Sequence, residues 1–237
     1  MIYRDRAEAG NYLARKLGQR YTNRNDVLVL ALPRGGVPVA YEVAKELHAP
    51  LDIFLVRKLG VPGHEELAMG AIATGGVRVL NEDVVKYLKI PKEVIDDVAE
   101  FERQELERRE REYRGDRPEP DVRRKTVILV DDGLATGSTM RAAAAALRQQ
   151  NPERIVVAVP VSAPDTCNEY RMGVDEIVCA VTPELFLGVG HWYKDFSQTT
   201  DEEVRELLER ARTELRPGSN LVNSKSDIHD RSDVFLQ

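Results

Sequence analysis

Along the chain, apolar positions switch between a helical and an extended rhythm. Ala9, Leu13 and Leu17 recur every four residues and predict an amphipathic first helix. The unbroken apolar run at 27–32 reads as a buried strand, and the chain then turns at Pro33, Arg34, Gly35 and Gly36. Ala40, Val43, Ala44 and Leu47 restore a helical period, and 51–56 reads as a second strand. Strand, loop, helix and strand in that order predict a parallel sheet covered by helices.

The rhythm loosens between Arg57 and Ala73, where Gly60, Pro62, Gly63 and Gly70 interrupt any regular element, so about 57–75 is expected to be a mobile loop. Gly75 and Gly76 ahead of the short apolar stretch 77–80 signal a hairpin turn. Residues 91–113 are dense in Glu and Arg and predict a long exposed helix within an inserted segment at 81–115, a solvated face or else a dimer contact. Beyond a Pro- and Gly-containing linker at 115–120, the run 125–130 is the clearest strand, followed by a helix at about 137–150 and strands at 154–159 and 176–181. Thr200 with Glu203 forms a capping box for a final helix to about Leu215, and 217–237 is polar, aperiodic and expected to be disordered. The expected fold is therefore α/β: an open parallel sheet flanked by helices, with its core at about 20–60 and 122–182.

Composition narrows the partners. A chain of 237 residues with 42% hydrophobic and 31% charged positions folds around a substantial core. Its net charge of -6 gives no global attraction for a phosphate backbone, so nucleic acid is not an expected partner. No apolar run approaches the ~20 residues that span a bilayer, and Met1 to Gly10 lacks the apolar segment of a signal peptide, so the expected location is cytoplasmic, away from the membrane. Cys167 and Cys179 match no familiar metal or redox spacing and read as structural thiols.

Candidate chemistry concentrates after the clearest strand, at Asp131, Asp132, Gly133, Leu134, Ala135, Thr136, Gly137, Ser138 and Thr139. Two carboxylates close a buried strand, and a small, hydroxyl-rich loop then opens a helix. Ligands of open α/β sheets bind at the carboxyl ends of strands, and a helix N-terminus offers unpaired N–H groups and a positive dipole end to an anion. Thr136, Ser138 and Thr139 can each donate a hydroxyl hydrogen bond to a phosphate, while Asp131 and Asp132 suit the vicinal hydroxyls of a ribose or a hydrated Mg²⁺. The segment is neither a Walker A loop nor GxGxxG, and a phosphate-accepting receiver domain would carry its acidic pair near the N-terminus.

This segment resembles the signature of the type I phosphoribosyltransferases, whose donor is phosphoribosyl pyrophosphate (PRPP), and the resemblance extends from about Tyr3 to Leu215. Bacterial members of unassigned acceptor are the most similar. The resemblance implies a Rossmann-like core with a small hood at 183–215, the whole forming one domain over 1–216. It implies that Asp131 and Asp132 hold the ribose hydroxyls, with Mg²⁺ bound directly or through water, and that Leu134 to Thr139 hold the 5-phosphate. Arg34, Gly35 and Gly36 resemble the pyrophosphate loop of the family, which often carries a non-proline cis bond, here expected at Pro33–Arg34. Arg57, Lys58 and Gly60 resemble the segment entering the catalytic loop of adenine-type members, and two cations there would neutralise the departing pyrophosphate. Asp131, Asp132, Arg57 and Lys58 are thus the expected catalytic set, and closure of 60–70 would exclude water.

The acceptor is less legible. Hypoxanthine-guanine members carry an acid where this chain has Ala135, and the adenine-type acid falls at Ala68 or Met69, so neither base transfers. His64, Glu65 and Glu66 offer a weaker proton acceptor. In the hood, Phe186, Trp192 and Tyr193, with Phe196, can stack on a planar acceptor or form the core of a lid, and His191 reads as structural. Gly133 stands where a bulky aliphatic residue is common, which predicts a looser loop. The expected reaction is transfer of ribose 5-phosphate from PRPP to a small nitrogen acceptor, a nucleobase by resemblance. The alternatives are a PRPP-sensing regulator that has lost the transfer step and a hydrolase of PRPP or a phosphorylated sugar. A homodimer is common among such proteins.

Overall fold

A computed structural model describes residues 1–170 and 173–215. Its elements run α1 (Arg6–Tyr21), β1 (Val27–Ala31), α2 (Gly36–Leu47), β2 (Leu51–Ile53), β3 (Val56–Val61), β4 (His64–Ala73), β5 (Val77–Leu80), α3 (Glu82–Leu88), α4 (Lys92–Arg114), β6 (Thr126–Val130), α5 (Ser138–Gln149), β7 (Arg154–Val161), α6 (Pro164–Tyr170), β8 (Glu176–Val181), a 3₁₀ turn (Val189–Trp192) and α7 (Asp201–Glu214). A five-stranded sheet in the order β2-β1-β6-β7-β8 is parallel throughout. A separate antiparallel sheet, β3-β4-β5, stands beside it.

The continuous apolar runs exist because the main sheet is covered on both faces. Val27, Val29 and Ala31 of β1 pack with α1, α2, α4 and α7 in one cluster, while Leu28 and Leu30 enter a second cluster with Met140, Ala143 and Leu147 of α5. Each fully buried aliphatic side chain contributes about 1.5–3 kcal/mol. Caps fix two helix starts: Asp5 accepts the Glu8 N–H at 2.8 Å, and Thr200 Oγ1 accepts the Glu203 N–H at 3.1 Å. The long helix is solvated on its outer side only, where Arg103–Glu107 and Arg108–Glu112 pair along the helix. Its inner side buries Ile95, Ala99 and Leu106.

Three expectations are corrected. The strand expected at 51–56 divides, with β2 ending at Ile53 and Val56 opening the second sheet. Buried Thr74 secures that departure: its N–H donates to the Leu55 carbonyl and its Oγ1 accepts the Leu55 N–H, both at 2.9 Å. The segment expected as a loop at 57–75 is instead a β3-β4 ribbon, with a turn at Gly63 (φ +79°) and register shifts around Gly60. Cys167 and Cys179 form a disulfide between α6 and β8 rather than two thiols. The glycine turn at Gly75–Gly76 is present, both residues having positive φ, and the Pro33–Arg34 bond is cis, as the resemblance implied. The tail at 217–237 lies outside the described residues, and no described helix is long and apolar enough to cross a membrane.

Candidate functional site

β1 and β6 are neighbours in register, Ala31 beside Val130, so the loops leaving their carboxyl ends meet. The Leu32 N–H donates to the Val130 carbonyl at 2.9 Å, which carries the pairing one residue past β1. Gly35 and Gly36 then press against the acidic pair. A β-carbon on Gly35 would fall 2.1 Å from Asp132 Oδ2, and one on Gly36 would fall 2.7 Å from the Val130 carbonyl oxygen and 3.2 Å from Asp131 Oδ1. No side chain fits at either position, so the glycines are a steric requirement of bringing these two loops together.

The pair itself is secluded. The Asp132 N–H donates to Asp131 Oδ1 at 2.8 Å, and the Tyr193 hydroxyl donates to the Asp132 carbonyl at 2.6 Å. Burial holds the Asp131 carboxyl well above the usual range, and the charge of Asp132 beside it adds to the rise. Burial also raises Asp132, while Arg6 works against the rise. Arg6 Nε donates to Asp132 Oδ2 at 2.9 Å, its Nη1 donates to the Ser197 carbonyl at 2.7 Å, and its guanidinium carbon lies 4.1 Å from the Phe196 ring centroid. A pair of acids so placed favours ligands that bring donors or positive charge.

The loop from Leu134 to Thr139 sits beside this pair. The Leu134 N–H donates to the Val161 carbonyl at 2.9 Å, and Thr166 Oγ1 of α6 donates to the Ala135 carbonyl at 2.8 Å. Gly137 takes φ +71° as the residue ahead of α5, and Ala135, Thr136, Ser138 and Thr139 are exposed. Gly133 is not a source of looseness. A β-carbon there would lie 2.6 Å from Val189 Cγ1, so a side chain from the hood fills the space.

The predicted cations are distributed less simply. A cavity of about 420 Å³ is lined by Arg57, Lys58 and Glu66 on the ribbon and by Ser138 and Thr139 at the start of α5. The ribbon cations therefore face the hydroxyl loop across one space. Arg57 Nε donates to Glu102 Oε2 of α4 at 2.7 Å, and Lys58 Nζ donates to the Glu66 carbonyl. Arg34 lies 3.6 Å from Asp201 of α7, which also accepts the Tyr113 hydroxyl. His64, Glu65 and Glu66 are exposed on the ribbon.

Of the aromatic residues expected either to stack on an acceptor or to form the core of a lid, Tyr193 is buried against Tyr3, their ring centroids 5.6 Å apart, and Phe186 and Trp192 pack on the same cluster. They form lid core here. Sequence reasoning did not single out Arg6, Glu102 or Val189. Arg6 meets a partner 126 positions away, and no local pattern announces such a contact.

The sequence model of the Phosphoribosyl transferase domain matches residues 62–193. Two curated proteins from strains of Mycobacterium tuberculosis, with provisional phosphoribosyl transferase names, are 45% identical over 210 residues. That alignment covers 89% of this chain and 47% of theirs, so the chain spans about half the length of the curated relatives it matches. The crystal structure of TT1426 from Thermus thermophilus is 41% identical and superposes with a TM-score of 0.79, covering 88% of this chain and 98% of that one. An acidic pair at the end of β6, a hydroxyl loop opening α5 and a glycine loop pressed against the pair thus occur in a chain whose relatives share most of its length. The chain belongs to the type I phosphoribosyltransferase family.

Proposed function

We propose that this chain binds PRPP at the ends of β1 and β6 and transfers its ribose 5-phosphate to a nitrogen acceptor, with a nucleobase the expected kind. One observation supports the reading: Gly35 and Gly36 lie against Asp131 and Asp132 with no room for a side chain, so the glycine loop and the acidic pair meet at one place, as a shared pyrophosphate and sugar site requires. In this reading Asp131 and Asp132 accept from the ribose hydroxyls, and Leu134, Ala135, Thr136, Gly137, Ser138 and Thr139 receive the 5-phosphate. Backbone N–H groups around Gly35 and Gly36 receive the pyrophosphate. The bond from C1 to pyrophosphate oxygen breaks, the acceptor nitrogen bonds to C1, and the nitrogen loses a proton. Arg57 and Lys58 offset the charge gathering on the leaving group when the β3-β4 ribbon closes on it. Arg34, 3.6 Å from Asp201, binds the pyrophosphate or orients the loop around it.

The donor set fits Mg²⁺ only as a shared site. Asp131 and Asp132 supply hard oxygen ligands, yet among the described residues no group of three or more His, Cys, Asp or Glu side chains could hold a metal. Asp131 and Asp132 would hold the ion directly or through water, with substrate oxygens completing the shell. When bound, the ion supplies positive charge to the departing pyrophosphate.

A second reading, a PRPP-binding regulator, is favoured by the pairing of Arg57 with Glu102 and of Arg34 with Asp201. Incubation with PRPP, Mg²⁺ and a panel of purines, pyrimidines and small amines, followed by pyrophosphate release, separates the readings. Acceptor-dependent release supports transfer. Acceptor-independent release points to hydrolysis, binding without release points to a regulator, and absence of PRPP binding overturns all three.

A further inference from the structure

The first helix delivers one side chain to the acidic pair, and the fold takes several steps to place it. Asp5 caps α1, which makes Arg6 its first residue. Just upstream, the N-terminal segment is laced to the hood by main-chain hydrogen bonds. The Tyr3 N–H donates to the Trp192 carbonyl at 2.8 Å, Lys194 N–H to the Tyr3 carbonyl at 2.8 Å, and Asp195 N–H to the Arg4 carbonyl at 2.9 Å. The guanidinium of Arg6 is then engaged on three sides, by Asp132, the Ser197 carbonyl and the Phe196 ring, with only 12% of the side chain exposed.

Such a group differs from an ordinary surface ion pair. A loose pair contributes little because two side chains must be ordered for one contact. Here the guanidinium is already ordered by a carbonyl and a ring, so its Nε can fix the direction of the carboxylate it meets. Only arginine can do all three things at once, since its planar fork donates along two edges while its face lies on an aromatic ring. A lysine in the same place can satisfy one partner well and must abandon another.

We propose that Arg6 is a positioning residue for the acidic pair: it holds one oxygen of Asp132, so that the other stays aimed at a sugar hydroxyl, and it ties that geometry to the docked hood segment at Phe196 and Ser197. The proposal rests on the PRPP reading above. It makes sugar binding depend on the first helix and the hood together, neither of which carries the signature loop.

The test is PRPP binding by calorimetry, in the presence of Mg²⁺, for the parent, Arg6→Gln, Arg6→Lys, Asp132→Asn and the double variant Arg6→Gln with Asp132→Asn, each with its melting temperature. Arg6→Gln should weaken PRPP binding about tenfold or more, the scale on which outer residues tune a site, and Arg6→Lys should recover part of the loss. In the Asp132→Asn background, Arg6→Gln should change the affinity by less than about twofold, because a residue acting through a partner has nothing to act on once the partner is neutral. A merely structural arginine would lower the melting temperature and leave this non-additivity absent. If Arg6→Gln fails to fold, Arg6→Lys decides alone, and parental affinity in that variant overturns the proposal. Parental affinity in Arg6→Gln, or an undiminished effect in the Asp132→Asn background, overturns it equally. If the parent itself binds no PRPP, the reading of the cleft falls first and the proposal falls with it.

Discussion

Gly35 faces Asp132 so closely that a methyl group in place of its α-hydrogen would fall 2.1 Å from Asp132 Oδ2 and 3.4 Å from Arg6 Nε. Two loops from adjacent strands can meet at that separation only if one of them has no side chain. Gly35→Ala should therefore push the carboxylate aside, at a cost of about 1–3 kcal/mol of stability for the forced repacking. PRPP binding should fall further than the melting temperature alone would imply. Thermal melting paired with calorimetry checks this, and an alanine variant that binds PRPP like the parent would remove the glycine loop from the site.

Charge on the acidic pair is the second point of attack. Asp131→Asn combined with Asp132→Asn keeps the shape and removes the charge from both acceptors. Hydrogen bonds to charged groups contribute about 1.5–3 kcal/mol each, so affinity for PRPP should drop by two orders of magnitude or more. Burial raises the carboxyl pKa of both residues and so favours neutral side chains, while neutralising Asp132 weakens its pair with Arg6, so the melting temperature of the unliganded protein should move far less than the affinity. Calorimetry and melting temperature should thus move independently, and a double variant with unaltered affinity would displace the ribose from this pair.

Glu102 ties the long helix to Arg57, which lines the cavity beside the hydroxyl loop. Its carboxylate accepts from Arg57 Nε at 2.7 Å, and the pair is largely enclosed, with 29% and 16% of the side chains exposed. Glu102→Gln should release the Arg57 guanidinium from a fixed direction. If Arg57 acts on the leaving group, kcat should fall several-fold with a smaller change in the KM for PRPP, since the interaction strengthens as pyrophosphate departs. Steady-state pyrophosphate release is the measurement, and a raised KM with unchanged kcat would mean that Arg57 serves binding alone.

The disulfide joining Cys167 to Cys179 closes a loop with a sequence separation of 12. Cross-links over loops of this size contribute about 3 kcal/mol. A dithiol reductant, or Cys167→Ser with Cys179→Ser, should lower the melting temperature by about 6–12 °C. A protein that melts identically with and without reductant, and that titrates two free thiols when unfolded, would show that the bridge does not form.

The centre of the main sheet was legible because β1, β6 and β7 are buried on both faces and read as apolar runs. The β3-β4 ribbon was hidden by its own glycines. Gly60 and Gly70 sit inside strands, where β-carbons would come within 2.9 Å of the Glu65 carbonyl oxygen and 2.5 Å of the Val79 carbonyl oxygen. Residues that normally mark a break here permit close main-chain approach. Asp131, Asp132 and the hydroxyl loop announced themselves because they are contiguous. Arg6, Val189 and the cysteine bridge stayed invisible because each depends on a partner brought near only by the completed fold.

Gly133 and Val189 interlock as a socket and a plug, one supplied by the acidic segment and the other by the hood. Swapping the hood for that of another protein would leave either an empty socket or a collision unless position 133 were exchanged as well. The two are therefore matched in shape, and any redesign of the hood has to carry both ends of the joint.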